Sequence, residues 1–193
     1  MWKNTQEQFG LAAIMFHWLM ALMIFTLFGL GLYMVELNYY HDWYRSAPVL
    51  HKSLGICLAI LWGLRLLWRA TQVSPQTIRG QGRWQIWERR LAALMHLALY
   101  ILIICICVSG YLISTADGRG IEVFSLITIP ASPLQMENQE DIAGWWHFYL
   151  AWALIIMVGF HALAALKHHY IDKDDVLKKM FRPAKSGDRI LDK

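Results

Sequence analysis

The sequence predicts an all-α membrane protein, a transmembrane four-helix bundle with both termini in the cytoplasm. Three observations carry this. The 193 residues are 57% apolar and 17% charged, too hydrophobic a balance for a water-soluble domain of this size. Four runs are each long enough to cross a bilayer, which takes about 20 residues at 1.5 Å rise. The positive charges collect in alternate connections.

The first span, 11–35, contains no Asp, Glu, Lys or Arg. It is too long for a signal peptide and lacks a small-residue cleavage pattern, so it reads as a retained helix. The second, 49–69, carries Lys52 and Arg65 within it, which must snorkel or find polar partners. The third, 91–116, and the fourth, 142–167, are free of charge up to Lys167. Between spans three and four runs the longest connection, where Pro130 and Pro133 break regular structure and the chain can fold as a short cap. Residues 171–193 form a charged cytoplasmic tail. With no repeat or low-complexity tract, residues 1–193 read as one domain.

Orientation follows from Lys and Arg. Arg69 ends span two, and Arg79, Arg83, Arg89 and Arg90 lie between it and span three; Lys167 ends span four, and Lys173, Lys178, Lys179, Arg182, Lys185, Arg189 and Lys193 follow it. The other two connections hold only Arg45 and Arg119 against seven acidic residues, hence −5. The positive-inside rule places the basic connections and both termini in the cytoplasm. The net charge of +4 is therefore a basic inner face over an acidic outer one, and no mark of nucleic-acid binding. Trp84, Trp87, Trp145 and Trp146 sit where interfacial anchors belong. Cys57, Cys105 and Cys107 fall inside spans and read as packing residues.

Eight histidines in so apolar a chain call for a role, because ionisable groups at membrane depth are costly and face the protein interior. His51 and His147 each begin a span on the outer side. His17 and His161 share the inner depth. His147 and His161 are 14 residues apart on one helix, about 21 Å along its axis and within roughly 40° of one face. One helix thus serves two stacked sites, completed by His51 at the outer depth and His17 at the inner.

A ligand that needs two facing imidazoles and a broad apolar slot is haem. Four residues beyond each candidate stands a small side chain, namely Ala21, Gly55, Ala151 and Ala165, which leaves room for a porphyrin. His96 shares the inner depth, but Tyr100 one turn on is a poor porphyrin wall, so it is a pocket residue and no axial ligand. Zinc wants three or four ligands, and copper fails on the same count. The competing reading of each histidine is a hydrogen-bonded interfacial residue.

The stretches FHWLMA, HKSLGICLAILWGLRLLWR, MHLALYILI and WWHFYLAWALIIMVGFHALAALKHHY resemble the bacterial cytochrome b561 family, related to the cytochrome b subunits of hydrogenase and formate dehydrogenase. The resemblance implies two b-type haems held by spans one, two and four, with His17 and His161 on the inner haem and His51 and His147 on the outer. It also implies ubiquinone as electron partner in the bacterial inner membrane. No Cys-x-x-Cys-His is present, so the haems are expected to be non-covalent. Arg65 follows His51 by the same 14-residue interval and is expected to pair with an inner-haem propionate; the competing reading is a snorkelling arginine. The resemblance points to His96 and His168 as quinone-pocket residues, and Arg83 is a further candidate at the inner end.

Three functions follow. The first is electron transfer between a periplasmic redox partner and the quinone pool. The second, also implied by the resemblance, is superoxide oxidation with ubiquinone as acceptor, against which the acidic outer loops weigh. The third is a structural membrane protein with no redox role.

Overall fold

The computed structural model describes residues 1–75, 83–133 and 136–184, the side chains of residues 83–85 excepted. Arg79, Lys185, Arg189 and Lys193 of the charge map, and the side chains of Arg83 and Trp84, lie outside the described residues. The elements in order are α1 (Leu11–Val35), α2 (Ser46–Ala70), α3 (Arg83–Ser114), β1 (Ile121–Val123), β2 (Ile127–Ile129), α4 (Gln139–Tyr170) and α5 (Val176–Lys179).

Among the described residues, four helices are long and apolar enough to cross a membrane: Leu11–Val35, Ser46–Ala70, Ile86–Ser114 and Gln139–Tyr170. Hydrocarbon offers no partner for a backbone N–H or C=O, so an uninterrupted helix satisfies each one internally. At most 22% of any span's most apolar window is buried inside the protein, and side chains such as Leu22, Leu64, Phe160 and Leu163 are exposed. Outward apolar surface on this scale suits lipid and not water. α2, α3 and α4 each begin ahead of the apolar run that marks them. A run records only the part that needs hydrocarbon, whereas the helix continues through polar turns at the interface.

The chain forms two compact units. The first comprises Met1–Leu19, Gly63–Leu99 and Ile156–Lys193. Its N-terminal segment folds over the start of α1, where the amide of Leu11 donates to the Met1 carbonyl at 2.9 Å. Asn4 ties that segment to the end of α2 through Gln72 and Val73. The segment after α5 joins it, since the Ala184 amide donates to the Phe9 carbonyl and the Trp18 indole donates to the Met180 carbonyl at 2.8 Å.

The second unit comprises Met20–Trp62 and Tyr100–Ile155. Here the structure adds what prolines concealed: β1 and β2 form an antiparallel hairpin pairing Ile121 with Ile129 and Val123 with Ile127. β2 stops immediately before Pro130, which cannot donate to a ladder. The turn puts Phe124 and Ser125 at φ 50° and 58°, both positive as a type I′ turn requires. Ser53, fully buried, pins the hairpin to α2 by accepting from the Phe124 amide at 3.1 Å and donating to the Glu122 carbonyl. Gln139 starts α4 and donates to the Leu112 carbonyl at the end of α3.

Candidate functional site

The two units carry two imidazole pairs. In the second unit, His51 in the first turns of α2 faces His147 of α4, with ring centroids 6.1 Å apart and planes at 72°. His147 Nδ1 lies 3.0 Å from Ser109 Oγ and 3.1 Å from the Ile106 carbonyl oxygen, both on α3. His51 Nδ1 is buried with no hydrogen-bond partner among the described residues. Helices α1 and α3 approach these rings with bare backbone. A Cβ on Gly31 would lie 3.4 Å from His51 Cε1, and one on Gly110 would lie 3.0 Å from His147 Cε1.

In the first unit, His17 of α1 and His161 of α4 stand 6.2 Å apart at 57°. A third imidazole is present: His96 of α3 lies 5.2 Å from His161, and its Nδ1 sits 2.6 Å from the Ala92 carbonyl oxygen of its own helix. Arg65 of α2 brings Nη2 to 3.5 Å from His17 Nδ1, the outer limit of a hydrogen bond. Its charge matters here more than its hydrogen bond.

Distance decides which pairs suit a shared iron. An imidazole bound to a first-row metal at about 2.0–2.1 Å keeps its centroid about 3.1 Å from the ion, so two on opposite sides stand about 6.2 Å apart. The pairs His51–His147 and His17–His161, at 6.1 and 6.2 Å, match that spacing. His96–His161 at 5.2 Å is too close. Beside His51, a Cβ on the half-buried Gly55 would meet nothing within 4 Å, leaving the room that a flat group needs one turn beyond the imidazole. The donor set and its surroundings fit haem.

His168, near the end of α4, belongs to a separate cluster in the first unit. Its Nδ1 lies 3.0 Å from Asp172 Oδ2 and 2.9 Å from Asp174 Oδ2. Next to it the Lys167 ammonium bridges Glu88 at 2.5 Å and Asp172 at 2.8 Å. Glu88, His168 and Asp172 could together hold a metal ion by distance alone, but Lys167 already supplies the compensating cation. The structure therefore joins His96 to the His17–His161 pair and gives His168 its own carboxylate surroundings. The Arg83 side chain lies outside the described residues.

Sequence reasoning missed Ser109, Gly110, Gly31 and the three carboxylates. Glycine in an apolar span was the one available signal, because it marks close approach of backbone to another group. Which group approaches is a tertiary fact.

Comparison with known proteins gives a consistent set. Residues 8–183 match the family described as prokaryotic cytochrome b561. The chain is 45% identical over 183 residues to cytochrome b561 homolog 2 of Escherichia coli, covering 95% of this chain and 96% of that one. It is 30% identical over 132 residues to cytochrome b561 homolog 1 of Escherichia coli, covering 67% and 72%. It is 27% identical over 186 residues to a probable superoxide oxidase, CybB, of Yersinia pestis, covering 94% and 99%.

Proposed function

The chain belongs to the prokaryotic cytochrome b561 family of b-type haem membrane proteins, and on that premise we propose that it is a di-haem cytochrome of the bacterial inner membrane, passing electrons between a periplasmic redox partner and the membrane quinone pool. The observation that carries this reading is the presence of two imidazole pairs at 6.1 and 6.2 Å, each completed within its own unit.

Haem b, when bound, supplies one-electron carriage. His17 and His161 hold one haem, and His51 and His147 the other. Two imidazoles on each iron would leave no open site for dioxygen or substrate, and a haem so held would supply outer-sphere electron transfer. Arg65, beside His17, is placed to pair with a propionate of the haem that His17 and His161 hold. By the positive-inside rule that pair lies on the cytoplasmic side, as do both termini.

Ubiquinone reduction takes two protons with its two electrons. His168 supplies a proton-carrying group: Asp172 and Asp174 orient it through Nδ1, which leaves Nε2 to exchange a proton with a quinone oxygen. His96, beside His161, and Arg83 stay the other candidates for contact with the quinone. Purification should give two haems per chain with reduced b-type bands, checked by haem-to-protein ratio. A colourless protein would leave only a structural role.

A second reading is superoxide oxidation with ubiquinone as acceptor, favoured by the relative named as a probable superoxide oxidase. The acidic loops that the charge map puts outside repel an anion, which is why a protein or neutral donor is preferred. Stopped-flow mixing of superoxide with the oxidised protein separates the two. Fast haem reduction selects the enzyme, and none eliminates it.

A further inference from the structure

We propose that Ser109 is a positioning residue which, with the Ile106 carbonyl, holds His147 and lowers the reduction potential of the haem on His51 and His147 below that of the haem on His17 and His161. The inference rests on the di-haem reading above and goes beyond it by ordering the two centres.

The proton count in the second unit is determined by its donors and acceptors. Ser109 is 6% exposed, and its hydroxyl donates to the Ile106 carbonyl at 2.9 Å. That uses its one hydrogen, so the Oγ facing His147 Nδ1 at 3.0 Å presents a lone pair. The Ile106 oxygen, 3.1 Å from the same nitrogen, is an acceptor only. Both contacts therefore need the hydrogen on His147 Nδ1, and they leave the Nε2 lone pair for iron. A ring whose N–H is held by two acceptors is a more electron-rich ligand. Such a ligand favours ferric over ferrous iron.

A serine bonded back to its own helix is common in apolar helices and needs no further purpose. Two features set Ser109 apart. Its contact continues to a ring on α4, and the next residue is Gly110, where a Cβ would stand 3.0 Å from His147 Cε1 and 3.3 Å from Nδ1. The backbone of α3 comes in at this ring beside the serine.

The first unit has the opposite surroundings. Beside His17 Nδ1 stands the Arg65 guanidinium at 3.5 Å, which can only donate and so cannot accept the hydrogen of an iron-bound His17. Its positive charge, direct or spent on neutralising a propionate, disfavours the ferric state. An electron passing from the centre on His51 and His147 to that on His17 and His161 oxidises the first iron and reduces the second. No bond is made or broken, and the step runs downhill.

Spectroelectrochemical titration of the purified holoprotein, with electron paramagnetic resonance of the ferric forms, tests this. Ser109→Ala should retain both haems, raise the lower of two midpoints and alter one ferric signal, leaving the other component in place. Ser109→Thr, which keeps the hydroxyl, should restore the wild-type midpoint. If the alanine variant does not accumulate, Ser109→Cys carries the test, because a thiol is a weaker acceptor and should raise the same midpoint. Two haems with unmoved midpoints in either variant would overturn the proposal, as would a shift confined to the higher component. Loss of the haem from Ser109→Ala would also overturn it, making Ser109 a retention residue. A wild-type protein with fewer than two haems would instead defeat the di-haem reading itself.

Discussion

The two units solve the same geometric problem with different surroundings. Both set imidazoles just over 6 Å apart, yet the first places a guanidinium and a third histidine around its pair, and the second places a hydroxyl, a carbonyl and two glycines. The lesson is that ligand spacing sets what can be bound, and the next layer sets what the bound centre does. A positively charged layer raises a potential and a neutral accepting layer lowers it.

The largest effects should come from removing one member of a pair. His147→Ala and His161→Ala are each expected to reduce the haem content from two per chain to one, with opposite spectral components surviving. If either variant lost both haems, the comparison between independent sites would break. Next comes His168→Gln, expected to leave both haems intact but slow quinone reduction about 100-fold, the lower range for removing a proton-transfer group; steady-state assay with a short-chain quinone measures it. Unchanged quinone turnover would remove His168 from the pocket.

Arg65→Gln sharpens the contrast directly. It should lower one midpoint by about 60 mV, a tenfold change for a one-electron couple, in the sense opposite to the serine variant. The smallest effects distinguish the two glycines. Gly110→Ala forces a neighbour to give, with a contact at 3.0 Å, whereas Gly31→Ala makes an ordinary contact at 3.4 Å. The first should perturb the ferric resonance of the haem on His147, and the second should leave all spectra within error.

The helices were legible because lipid imposes a simple rule on sequence. A run such as Leu11–Val35 without a charge has few alternatives to a spanning helix. The four paired histidines were legible for a related reason, since an imidazole in such a run stands out against its neighbours. The hairpin was not, because its turn uses Phe124 and Ser125 at positive φ where Asn or Gly would have announced it. Ser109 was equally silent. A serine in an apolar helix can satisfy itself, and only the arrival of α4 beside α3 shows that His147 shares its oxygen. The carboxylates around His168 looked like ordinary tail charge, and only the fold turns Asp172 and Asp174 back onto Nδ1.

The hydroxyl of Ser53 has a consequence for how the second unit can be observed. The Phe124 amide spends its hydrogen on that buried oxygen, two residues along α2 from His51, while Leu126 at the hairpin tip is 83% exposed. That amide can trade its hydrogen for deuterium only when the hairpin lifts from α2. Its exchange rate is thus a built-in gauge of attachment, and a molecule docking on the exposed tip would register there as a slower or faster clock before any electron moved.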